Sequence, residues 1–146
     1  MSAGRDFMRF LEERFGLHKG IFSKFSFHET SDKVYVLSVD IPGVDLSGLR
    51  VFSIGITAGR QFDKSARYKP TTNLLQIFGK FATRNIVDIT DEEKEDYMRG
   101  LDIEKEADVE EGYVIVRHGK DILGCGLYSK GSIKNQVPKA KRMALR

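Results

Sequence analysis

Apolar positions at the start of the chain recur at helical spacing. Phe7, Phe10, Leu11 and Phe15 predict an amphipathic helix over 5–15, with Gly16 placed to end it. Phe22, Phe25 and Phe27 follow as an aromatic segment, extended or turning. The run KVYVLSV (33–39) is rich in β-branched and aromatic residues and predicts a strand. DIPGVDLSG (40–48) holds Pro42, Gly43 and Gly48 among Asp and Ser, which predicts a loop. Residues 49–62 predict two short strands broken near Gly55 and Gly59. Pro70 suits the first turn of a helix. Residues 71–82 continue that helix, with Leu74, Leu75, Phe78 and Phe81 on one face.

The second half begins with a predicted strand at 85–89. Thr90 opens T-D-E-E, a pattern in which Thr90 caps a helix while Glu93 reaches back to it. The acidic first turn, Asp91 to Glu93, complements the positive end of the helix dipole. This helix is expected to end near Gly100. The last third reads as all-β: a strand at 112–118, a turn at 118–121, and a strand at 122–129 that contains Gly124 and Gly126. Glycine inside a strand permits a bulge or close backbone approach. Gly131 marks another turn, Pro138 ends regular structure, and a basic tail, KAKRMALR, follows.

Composition places this pattern in one domain or two small ones. The chain has 146 residues, 40% hydrophobic and 31% charged, as in ordinary globular proteins. One cysteine, Cys125, excludes an internal disulfide and zinc sites of the Cys-x-x-Cys type, and points to a reducing compartment. Charged residues interrupt the N-terminus, which excludes a secretory leader. No apolar run approaches the roughly 20 residues of a membrane span. A soluble, cytoplasmic protein with no membrane partner is expected. Charge is unevenly distributed: residues 50–87 sum to +6, 88–116 to −9 and 117–146 to +7, within a net charge of +3. Two basic blocks flanking an acidic one suit a polyanion such as RNA, whose counterions they would release. The alternative is that the blocks pair with each other across the fold.

Enzyme signatures are not found. The sequence has neither a G-x-x-x-x-G-K-[ST] phosphate loop nor a strand-linked G-x-G-x-x-G. His18, His28 and His118 lack metal-ligand spacing and read as surface or capping residues. Cys125 sits in an apolar strand and reads as a buried, inert thiol. Asp91, Glu92, Glu93, Glu95 and Asp96 read as a solvated helix face, not as a catalytic carboxylate pair. No catalytic residue, metal or cofactor is expected.

The order of motifs in the C-terminal part is more specific. Gly112-Tyr113 opens a strand, Leu123-Gly124-x-Gly126 sits in its partner, and Lys134 to Lys139 spell K-N-x-x-P-K. This stretch resembles the PUA-like RNA-binding domain of the Sun-family RNA cytosine methyltransferases, RsmF among them. Gly55, Gly59-Arg60, Phe62, Lys69-Pro70 and the helix after them resemble the module that precedes that domain. The resemblance covers the chain from about residue 30 onward. It implies an α+β fold: an α/β pre-PUA-like module over 1–84 and a PUA-like β-barrel over 85–146. Sun-family catalysis needs a methyl-donor domain and catalytic cysteines, one of them after a proline. Here the single cysteine follows Gly124, and the chain is short for that domain. The resemblance therefore implies RNA binding without the enzyme, acting on rRNA or tRNA.

The expected RNA-binding residues follow the basic blocks. In the second block, Arg60, Lys64, Arg67 and Lys69 are interleaved with Phe62 and Tyr68, aromatics that read either as stacking platforms or as core. In the last block, Lys130, Lys134, Lys139, Lys141 and Arg142 are placed to contact phosphates. Asn135 and Gln136 add groups suited to a base edge or a 2′-hydroxyl. Gly112, Gly124 and Gly126 read as structural. Two further functions stay open on the residues alone. One is a protein-interaction subunit whose acidic block docks an RNA methyltransferase or a ribosomal protein; the other is an enzyme of unrecognised type.

Overall fold

The computed structural model describes residues 5–23, 25–30, 33–38, 55–61 and 68–138. The predicted loop at 40–48 and the basic tail from residue 139 lie outside them. Helix α1 spans Arg5–Phe15, as its periodicity predicts. Phe7, Leu11 and Phe15 are fully buried. Gly16 adopts φ +71 just after the helix, and its N–H donates to the Glu12 carbonyl at 2.9 Å. A left-handed residue here is the usual device for closing a helix C-terminus.

Four antiparallel strands form the first sheet, in the order β1 (Phe25–Glu29), β2 (Lys33–Ser38), β3 (Gly55–Gln61) and β4 (Tyr68–Pro70). Two expectations are corrected here. Gly59 does not break a strand; β3 runs through it. Phe7 of α1 lies so close over the sheet that a Cβ on Gly59 would sit 2.5 Å from its ring, so contact with the helix explains this glycine. Pro70 does not start a helix; it ends β4, paired with Gly59. Thr71 is the cap instead: its Oγ1 accepts from the Leu74 N–H at 3.1 Å and donates to the Thr57 carbonyl at 2.6 Å. Helix α2 (Thr72–Phe78) then buries Leu74, Leu75 and Phe78. It gives way to a 3-10 turn at Gly79–Phe81, which rotates Phe81 off the buried face and leaves it 47% exposed.

The second sheet contains β5 (Ile86–Asp88), β6 (Ile103–Glu104), β7 (Gly112–His118), β8 (Asp121–Ser129) and β9 (Ser132–Asn135). Its order is β5-β7-β8-β9-β6. The β5/β7 pair is parallel and the others are antiparallel, in a curled half-barrel. Helix α3 (Asp91–Met98) carries the expected capping box, both halves formed between Thr90 and Glu93.

The sequence of β7 is apolar throughout its centre because both faces of the strand are covered. Ile115, with Cys125 of β8, joins a core made by α1, α2 and the first sheet. Val114 and Val116 join a second core with Val87, Tyr97, Tyr128 and Ile133. The first core thus fuses the N-terminal module to the second sheet. Arg14 fastens the joint from the side, donating to the carbonyls of Tyr113 and Glu110, each at 2.6 Å. Its guanidinium lies 3.2 Å from where a Cβ on Gly112 would be.

Candidate nucleic-acid interface

Register in the first sheet assembles a row of cations. Lys33 of β2 faces Arg60 of β3, and Arg60 faces Lys69 of β4. Directly opposed residues project from the same face of a sheet. The neighbouring set, Val34, Gly59 and Pro70, faces the core beneath Phe7. The three cations therefore occupy the face away from α1. Arg60 is exposed, while Lys33 and Lys69 are half-buried along their stems. Sequence reasoning singled out Arg60 and Lys69 but missed Lys33. It lies far away in the chain, and only strand register brings it alongside.

The C-terminal candidates are placed differently. Lys130 and Lys134 belong to the β8–β9 hairpin, and both are exposed. Lys130 takes φ +49 at the tip, followed by Gly131 at φ +75, as a two-residue hairpin turn requires. Carboxylates surround this tip. Glu111 accepts from the Lys130 N–H at 3.1 Å, Glu106 from the Tyr128 hydroxyl at 3.2 Å, and Glu104 from the Ser132 hydroxyl at 3.2 Å. The contact with Glu111 is made by the Lys130 backbone. Lys134 projects beside Leu127 on β9, clear of that tip. Asn135 is committed within the fold: its amide donates to the carbonyls of Tyr97 and Leu101 at 2.8 and 2.9 Å and accepts from the Val137 N–H at 2.8 Å. It ties β9 to the end of α3. Lys64, Arg67, Lys139, Lys141 and Arg142 lie outside the described residues, as does Phe62.

Cys125 is buried, and burial pushes its thiol up to about 12, against the opposing pull of Lys69 and Arg14.

Most of the acidic block is used inside the protein. Asp88 accepts both guanidinium nitrogens of Arg117, at 2.6 and 2.9 Å. Glu93 pairs with Lys105 at 2.9 Å, and Asp91 meets His118 at 2.6 Å. Asp102 accepts from the Asn135 N–H at 2.8 Å. Part of the charge alternation along the sequence is thus pairing across the fold. Tyr68, offered as a platform or as core, is core: it is 4% exposed and packs on Phe7 and Phe10. His18 caps the 3-10 turn Lys19–Phe22, its Nδ1 accepting from the Gly20 N–H.

The glycines of β8 are structural. A Cβ on Gly124 would lie 2.8 Å from the Tyr97 hydroxyl and 3.1 Å from Thr72, and one on Gly126 would collide with Ile133. Among the described residues, no three His, Cys, Asp or Glu side chains are grouped to hold a metal ion, and no helix is long and apolar enough to cross a membrane.

Residues 84–143 match the family model described as the methyltransferase RsmF PUA domain. The chain is also 30% identical over 91 residues to the ribosomal RNA small subunit methyltransferase F of Aeromonas salmonicida (strain A449). That match covers 62% of this chain but 19% of the enzyme, and it falls outside the catalytic part.

Proposed function

Taking residues 84–143 as a PUA domain of the RsmF type, we propose that this chain binds structured RNA, rRNA or tRNA, without catalysing a reaction on it. Its place is in cytoplasmic RNA modification or ribosome biogenesis. The observation that carries the reading is the row Lys33, Arg60 and Lys69, three cations side by side on adjacent strands. A flat row of cations suits the phosphates of a folded RNA, fixing its position without reading its sequence. Lys134, and the tail residues Lys139, Lys141 and Arg142, extend the same electrostatic surface in this reading. A separate RNA methyltransferase is the natural protein partner, given the enzyme to which the chain is similar.

The test is filter binding of total structured RNA across a salt series. Binding should weaken steeply with salt, and the Lys33→Gln/Arg60→Gln/Lys69→Gln variant should lower the salt slope by about 2–3. An unchanged slope in a folded triple variant refutes the row as the phosphate contact.

A further inference from the structure

The outer face of the first sheet carries an aromatic ring among its cations. Along β2, Val34 and Val36 are buried in the core, and Lys33 and Tyr35 alternate with them onto the opposite face. Tyr35 is partly exposed and stands about 7 Å from Lys33 along the strand. Its cross-strand partners are the exposed His28 on β1 and Thr57 on β3. A bulge sets what lies beyond them. Val34 pairs with Gly59 but Tyr35 pairs with Thr57, so Ala58 is an extra residue in β3. In an unbroken register Lys33 would oppose Gly59, and Arg60 would point to the core side with Val34. The extra residue, the buried Ala58, turns Arg60 onto the outer face opposite Lys33, with Lys69 next to it on β4. The one carboxylate among the described residues of this sheet is Glu29. It accepts from the hydroxyl of Tyr68 at 3.2 Å, and the Tyr68 ring packs on Phe7 in the core.

We infer that Tyr35 is a stacking platform for one unpaired base of a bound RNA, with Lys33 and Arg60 holding the phosphates beside that base. The inference rests on the RNA-binding reading above and sharpens it: the ligand exposes a base in a loop or bulge, whereas a continuous duplex would meet the cations alone. An aromatic ring accepts any base, because every base has a π-face, and neighbouring cations hold the backbone that carries it. The bulge in β3 supports this joint use of the face. It interrupts the ladder and brings a guanidinium to the side of the sheet that holds the ring, where the core gains nothing from it. An acidic peptide would satisfy the cations but offers the ring no flat partner.

The full chain is titrated with two labelled RNAs, a stem–loop with a purine-rich loop and a blunt duplex of the same stem. Tyr35→Ala should weaken the stem–loop by about five- to a hundredfold and leave the duplex unchanged, while Tyr35→Phe binds both as the parent does. The sequence contains no tryptophan, so Tyr35→Trp adds a single reporter, which the stem–loop should quench and the duplex should not. Where Tyr35→Ala does not fold, the reporter decides: an indole left unquenched by bound stem–loop refutes the platform. If folded Tyr35→Ala binds both RNAs like the parent, the platform is refuted and RNA binding stands. Equal weakening of stem–loop and duplex also refutes base stacking. If the parent binds neither RNA, the proposed function falls and the platform with it. Loss of poly-glutamate binding from Tyr35→Ala, at unchanged RNA affinity, assigns the face to an acidic peptide and overturns the inference.

Discussion

A methyl group placed on Gly124 has nowhere to go. In Gly124→Ala the new carbon would lie 2.8 Å from the Tyr97 hydroxyl and 3.1 Å from the Cγ2 and Oγ1 atoms of Thr72. Neither neighbour yields easily. Tyr97 is fully buried, and its hydroxyl donates to the Cys125 carbonyl at 2.7 Å. Thr72 is 4% exposed in the first turn of α2. Overpacking of this kind costs about 1–3 kcal/mol. The backbone adds its own penalty, because Gly124 sits at φ +156, which L-residues rarely adopt, at about 1–3 kcal/mol. A total of about 2–6 kcal/mol is a large share of the stability of any domain. Equilibrium urea unfolding followed by circular dichroism measures it, and at an unchanged slope the midpoint should fall accordingly. Tyr97→Phe removes the atom that the methyl strikes, at a cost of about 1 kcal/mol for the lost hydrogen bond. The double variant should therefore be more stable than the sum of the two single losses predicts. A Gly124→Ala midpoint equal to that of the parent refutes the crowding argument. Strict additivity in the double variant refutes the role of the Tyr97 hydroxyl. Gly124→Val should be worse than Gly124→Ala in the same assay.

Other consequences follow from single contacts. Thr90→Ala removes the cap of α3 and should cost about 1 kcal/mol in urea unfolding, recovered in large part by Thr90→Ser. Cys125 should resist a thiol-specific chromophoric reagent at pH 8 and react at once in denaturant, since burial holds its thiol up near 12; rapid labelling of the native protein contradicts this. The hydrogen bond from Arg117 holds the Asp88 carboxyl below its usual value. A depressed carboxyl stabilises the fold above its unfolded value, about 3.9, and that contribution disappears as pH falls through the folded value. Because the Asp88 side chain is 62% exposed, the gain is screened to under about 1 kcal/mol. Asp88→Asn should thus be slightly less stable than the parent at pH 7 and indistinguishable from it at pH 2, as measured by thermal unfolding; a difference that grows towards acid has the wrong sign.

Local chemistry wrote much of this fold directly into the chain. Phe7, Leu11 and Phe15 recur at one helical face, and Gly16 closes that helix by its freedom at positive φ. Thr90 and Glu93 satisfy each other's backbone donors within four residues, so the start of α3 is visible without any tertiary context. The run at 112–118 and the motif order after it carry a resemblance to a PUA-like domain, and the family match falls on the same stretch. Long-range contact decided the rest. Gly59 resembles a strand breaker until Phe7 is seen against it, and Pro70 resembles a helix start until its pairing with Gly59 shows a strand end. Phe81 fits the apolar face of an ideal helix, but tightening into a 3-10 turn changes the angle per residue and carries it into solvent. Lys33 joins Arg60 and Lys69 only through strand register, and the Lys130 backbone N–H meets Glu111 only where the hairpin folds back on the acidic segment. Periodicity and capping depend on residues a few positions apart, which a sequence displays. Which side chains share a surface depends on pairings between distant segments, and these exist only once the chain has folded.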